Sequence, residues 1–159
     1  MMNEPRNVGI AQLVLCRAPE QLTCLGLGSC VAVILYDPIT KIGGIVHVLL
    51  PKAPTSDKNE EKYADSGIRK LHAKLLEKGV ARGSLVAKLV GGAQMFTSLN
   101  IAIASIGREN IREARNTLRT LGVKIVAEDL EGNRGRSAVF DSSTGKVTVR
   151  TAFGAVRTM

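Results

Sequence analysis

A thiol acts as a nucleophile when a neighbouring base can take its proton, and this chain holds one cysteine placed for that. Cys30 ends the segment Leu25-Gly26-Leu27-Gly28-Ser29-Cys30, and His47, one of only two histidines, follows on the next apolar run. Gly26 and Gly28 open backbone conformations closed to other residues and let a substrate carbonyl come close. Main-chain N–H groups around Ser29 and Cys30 are candidates to stabilise an oxyanion, which makes Gly28 and Ser29 the candidate substrate loop. A third group normally fixes the imidazole tautomer. The candidates are Thr23, Cys24 or a main-chain carbonyl, and the residues do not choose among them. Taken alone, Cys30 is more often a buried small hydrophobe, and His47 a satisfied core histidine. Their pairing raises both.

The pairing rests on a hairpin. Residues 31–36 and 42–50 are apolar, β-branched runs on either side of the turn signal Asp37-Pro38-Ile39-Thr40. A connection of two or four residues centred on Pro38 and Ile39 sets Cys30 directly opposite His47, at a Cβ separation of roughly 4.5–5.5 Å. An odd loop, or a bulge at Gly43-Gly44, shifts that register.

With 159 residues and 45% hydrophobic content, the chain suffices for one domain with its own core. Aromatics are 3% with no Trp, so the core is aliphatic and platforms for stacking nucleic-acid bases are scarce. The net charge of +8 fits either an acidic partner or simple solubility. Cys16, Cys24 and Cys30 are odd in number and form no CxxC pair, which favours a reducing, cytoplasmic setting and free thiols. No secretory leader, no spanning segment and no metal-ligand spacing is legible, so we expect neither membrane insertion nor a metal or other cofactor.

Short strands are expected at 8–15 and 21–25, separated by Ala18-Pro19. The polar stretch 51–62 reads as an exposed loop that starts four residues after His47, either a solvated connection or a mobile rim. Ala64, Ile68, Leu71 and Leu75 mark an amphipathic helix stopped by Gly79, with His72 read as a surface or boundary residue. A strand at 84–90 runs into Gly91-Gly92. A second helix carries Ile111, Ala114, Leu118 and Leu121 up to Gly122, and its Arg112, Arg115 and Arg119 read as a solvated face. A strand at 123–127 and a hairpin of 136–141 with 146–150 complete one α+β domain over residues 1–159.

The strings LGLGSCVAVILYD, IGGIVHVLLP, KYAD, GGAQMF and EDLEGNRGRS, in that order, resemble the CheD family of chemoreceptor glutamine deamidases. The resemblance runs from about residue 8 to residue 150, leaving 151–159 as a tail. It implies a sandwich of mixed sheets with flanking helices, related to deamidating toxins with a Cys-His site. It implies Cys30 as nucleophile and His47 as general base, converting receptor glutamines to glutamate and acting also on glutamyl methyl esters, without a cofactor. It implies chemoreceptor cytoplasmic helices and a CheC-type phosphatase as partners, and neither nucleic acid nor membrane. One position departs from the family pattern. The usual Thr six residues before the nucleophile is Cys24 here, with Thr23 one place earlier on the opposite strand face. A CheD-like adaptor with a vestigial thiol is the alternative reading. A redox pair of Cys24 and Cys30 is a weaker one, because six residues of straight strand span about 20 Å.

Overall fold

The structure, a computed structural model, describes residues 4–94 and 105–159. Ten strands form two five-stranded sheets, and among the described residues two α-helices lie on one of them. The strands are β1 (Arg6–Asn7), β2 (Leu13–Arg17), β3 (Gln21–Leu27), β4 (Val31–Asp37), β5 (Ile42–Val48), β6 (Val86–Gly91), β7 (Lys124–Leu130), β8 (Arg136–Asp141), β9 (Val147–Thr151) and β10 (Val156–Thr158). The helices are α1 (Ala64–Glu77) and α2 (Ile106–Leu121). One sheet runs β1-β3-β8-β9-β10 and the other β2-β5-β4-β6-β7. The expected α+β class of mixed sheets with flanking helices is what the chain adopts.

Alternation along β4 explains the layering. Val31, Val33 and Leu35 join Val46, Val48, Ala87 and Leu89 in a core covered by Ile68, Leu71 and Leu75 of α1 and Ile111, Ala114 and Leu118 of α2. The intervening Ala32, Ile34 and Tyr36 point the other way, into a second core with Leu22, Cys24, Leu27, Ala138, Phe140 and Val149 of the facing sheet. β4 is buried along its whole length because it is covered on both faces.

The 8–15 segment is not one strand. It breaks at Val8–Gln12, where Ala11 takes φ 60° and Gly9 N–H donates to the Gln12 side chain at 2.8 Å. The break is a change of sheet, since β1 pairs parallel with β3 while β2 pairs antiparallel with β5. The chain changes sheet again between β2 and β3 and between β3 and β4. β3 carries a bulge between Cys24 and Leu27 at Gly26, φ 63°, and the chain then crosses through Gly28 and Ser29 to β4. Residues 51–62 are tied back rather than hinged: Leu49 and Leu50 N–H donate to the Lys62 carbonyl at 2.8 and 3.1 Å, and Ala53 N–H to Asp65 Oδ1 at 3.0 Å. His72, expected at the surface or its boundary, is buried at 3% exposure. The 151–159 segment adds β10 to the sheet edge.

Gly91, at the end of β6, shows how tightly the crossover is held. At φ 118° it lies against Cys30, and a Cβ there would stand 2.2 Å from the Cys30 carbonyl oxygen. Gly91→Ala is therefore expected to destabilise the fold by more than about 1 kcal/mol in urea titration; an unchanged midpoint would show that this contact does not constrain the loop.

Candidate active site

Cys30 sits where the chain passes from one sheet to the other between β3 and β4, one residue before β4. Its carbonyl accepts from Gly92 N–H at 2.8 Å, and the Gly28 carbonyl accepts from Ala93 N–H at 2.8 Å. From the other side, Asn110 of α2 donates through Nδ2 to the carbonyls of Ser29 and Leu49, both at 3.0 Å. That amide joins the approach to Cys30 to the end of β5, and it is fully buried. Asn110 is absent from the sequence-level candidates. Its only signal is a polar residue beside the apolar stripe of a helix, which surface residues share.

The hairpin pairs as a regular antiparallel ladder, two residues out of the expected register. Asp37 opposes Ile42, so the loop is Pro38 to Lys41, closed by Lys41 N–H to the Asp37 carbonyl at 2.8 Å with Lys41 at φ 58°. Asp37 caps the turn, accepting from Ile39 N–H at 2.9 Å and from the Thr40 hydroxyl at 2.7 Å. His47 thus faces Ala32, and Cys30 lies two positions further along. A shift of two preserves the face, because strand side chains alternate with period two. Cys30 and His47 therefore share the inter-sheet layer as diagonal neighbours, a relation that spans roughly 7–8 Å and is bridged by long side chains.

The earlier change of sheet, between β1 and β2, places an acceptor against His47. Val8 N–H donates to the Thr23 carbonyl at 2.8 Å, fixing Val8 at the β1 exit, and the Val8 carbonyl lies 3.0 Å from His47 Nδ1. A carbonyl only accepts, so Nδ1 carries the proton and neutral His47 presents its lone pair at Nε2. Nε2 is buried and has no hydrogen-bond partner among the described residues. The backbone of His47 is held as well, with its N–H on the Gln12 carbonyl at 3.0 Å and its carbonyl accepting from Ala11 N–H at 2.8 Å.

Thr23 and Cys24 point to opposite faces of β3. The Thr23 hydroxyl donates to the Ala138 carbonyl at 2.9 Å, whereas Cys24 is fully buried in the same core as Cys30. Burial, with a lesser contribution from nearby Cys30, pushes the Cys24 thiol up to about 12. Burial likewise raises Cys30, against a small opposing effect of its own main-chain N–H, and lowers His47, against the Val8 hydrogen bond. Both shifts favour neutral forms, so the resting pair is thiol and imidazole rather than thiolate and imidazolium. Cys30 keeps 7% of its surface exposed, against 2% for His47, so the cysteine lies nearer the rim. The expected Met95 and Phe96 of the GGAQMF string lie outside the described residues.

A family model described as CheD chemotactic sensory transduction matches residues 49–151. The chain belongs to the CheD family. A relative from Moorella thermoacetica, named a probable chemoreceptor glutamine deamidase CheD, is 45% identical over 91% of this chain and 89% of its own. One of the same name from Caldanaerobacter subterraneus is 44% identical over 91% of both chains, and one from Pyrococcus abyssi 40% identical over 96% and 95%. Among the described residues no helix is long and apolar enough to cross a membrane, and no group of three or more His, Cys, Asp or Glu is placed to hold a metal ion.

The neutral pair sets a pH dependence. Alkylation of Cys30 by iodoacetamide should rise with pH toward a midpoint above the ordinary thiol value of 9.0, because the raised thiol must lose its proton to solvent. A plateau of fast reaction extending below pH 6 would reveal a preformed thiolate–imidazolium pair and contradict the assignment.

Proposed function

We propose that the chain hydrolyses glutamine side-chain amides of chemoreceptors to glutamate, with Cys30 as nucleophile and His47 as base and acid. The observation that carries this reading is the buried Nε2 of His47, without a partner among the described residues, on a side chain that shares the inter-sheet face with Cys30 while its Nδ1 is held by the Val8 carbonyl. The relatives' shared name supplies the substrate class.

The chemistry follows from the two neutral groups. As the Cys30 sulfur bonds to the amide carbon, Nε2 takes the thiol proton, and the Val8 carbonyl stabilises the imidazolium through Nδ1–H. Imidazolium then protonates the departing nitrogen; ammonia leaves and a thioester remains. Water, deprotonated by Nε2, attacks the thioester, the C–S bond breaks, and glutamate and free thiol result. A glutamyl methyl ester follows the same course with methanol as leaving group. Gly28 and Ser29 form the loop past which the amide enters, with main-chain N–H groups of this loop as the expected oxyanion donors. In this reading Val8 rather than Cys24 or Thr23 completes the site. The thiol of Cys24 is a weak hydrogen-bonding group, and the hydroxyl of Thr23 is engaged elsewhere. By family resemblance, a CheC-type phosphatase is the second expected partner.

Incubation with a chemoreceptor cytoplasmic fragment should release ammonia and add about 1 Da per modified glutamine. Cys30→Ala should abolish the release, His47→Gln should lower kcat at least about 100-fold, and Cys24→Ala should stay within about threefold of the parent. Release that survives Cys30→Ala would reject the nucleophile. No release from the parent protein, with fragment binding retained, would favour an adaptor instead.

A further inference from the structure

α2 carries Arg108, Arg112, Arg115 and Arg119 at intervals of four, three and four residues. At about 100° per residue these positions return to one side of the helix within about 60°, and at about 1.5 Å per residue they form a row about 16 Å long. With Lys52, Glu113 and Glu131 they line a groove of about 420 Å³. Two of the cations are answered locally: Arg115 pairs with Glu128, Nε to Oε1 at 3.2 Å, and Lys52 approaches Glu113 at 4.0 Å. Arg108, Arg112 and Arg119 are exposed and make no ion pair among the described residues, with Glu131 in the lining and exposed Glu109 as the remaining carboxylates nearby. Like charges four apart repel along a helix, and an anionic surface laid against them would relieve that repulsion.

The helix that carries the row is tied to the crossover that carries Cys30. Asn110, between Arg108 and Arg112, donates to the Ser29 and Leu49 carbonyls, and Ile111 lies where a Cβ on Gly92 would collide with it at 2.4 Å. Gly92 in turn holds the Cys30 carbonyl. We propose that this groove docks an acidic α-helical segment of the protein substrate beside the glutamine presented to Cys30; the proposal rests on the deamidase reading. A helix with carboxylates at i, i+4, i+7 and i+11 matches the row in length and pitch, and the guanidinium fork pairs with carboxylates two bonds at a time. Nucleic acid would meet the same charge but finds few stacking side chains, the chain having three Phe, two Tyr and no Trp.

The test uses the full chain and a fluorescein-labelled helical peptide that carries four glutamates at that spacing around one glutamine. In the Cys30→Ala background, Arg112→Glu with Arg119→Glu should weaken peptide binding at least about tenfold in anisotropy, and the same peptide with lysines in place of the glutamates should restore it. With Cys30 intact, the double variant should raise KM for the receptor fragment about tenfold at unchanged kcat, and leave the iodoacetamide rate of Cys30 unaltered. Equal binding of both peptides by parent and variant would overturn the proposal, as would displacement of the peptide by a more tightly held single-stranded oligonucleotide. Charge-dependent binding without ammonia release would instead leave the groove standing and remove the deamidase reading.

Discussion

The hydrogen bond from His47 Nδ1 to the Val8 carbonyl is the constraint on which the site depends. It fixes where the imidazole proton resides, and hence which nitrogen faces the inter-sheet layer. A main-chain carbonyl can serve this purpose only if the chain is prevented from spending it on a ladder. Val8 meets that condition because the strand breaks there to change sheets, leaving its carbonyl free while its N–H still pairs with β3. The same event between β3 and β4 places Cys30. Two sheet crossings, one bringing an acceptor and one a thiol, converge on a histidine supplied by β5.

That arrangement also accounts for the electrostatics. Both reacting groups lie between layers of aliphatic side chains, so neutral forms are favoured and no standing ion pair forms. In the proposed reaction charge separation arises only as sulfur attacks, with the Val8 carbonyl already in position to stabilise the imidazolium. The expected cost is a thiol slow to react with small oxidants and alkylators at neutral pH. Burial pushes the thiol of Cys24, at the place where the family pattern has Thr, up to about 12.

Much of this was legible in the residues. Alternation and turn chemistry marked the hairpin, and glycine stops marked both helices within a residue or two, because those signals are local. The hairpin register came out two residues off, since Lys41 adopts a left-handed conformation that lysine does not advertise, and the period-two face survived the error. Val8 was hidden for a different reason: a carbonyl has no side-chain signature, and the strand break that frees it is dictated by pairing with β3 and β5. Asn110 and buried His72 were likewise invisible, their surroundings being assembled from elements distant in sequence. The family resemblance named Cys30 and His47 but pointed to position 24 for the third group, where this chain differs.

The tautomer of His47 tests the account most directly. In protein labelled with nitrogen-15 at histidine, NMR at neutral pH should show His47 protonated at Nδ1 with an unprotonated Nε2, whose resonance moves when Cys30 is alkylated. A proton found on Nε2, or a resonance indifferent to the state of Cys30, would contradict the claim that the Val8 carbonyl prepares His47 to act on that thiol.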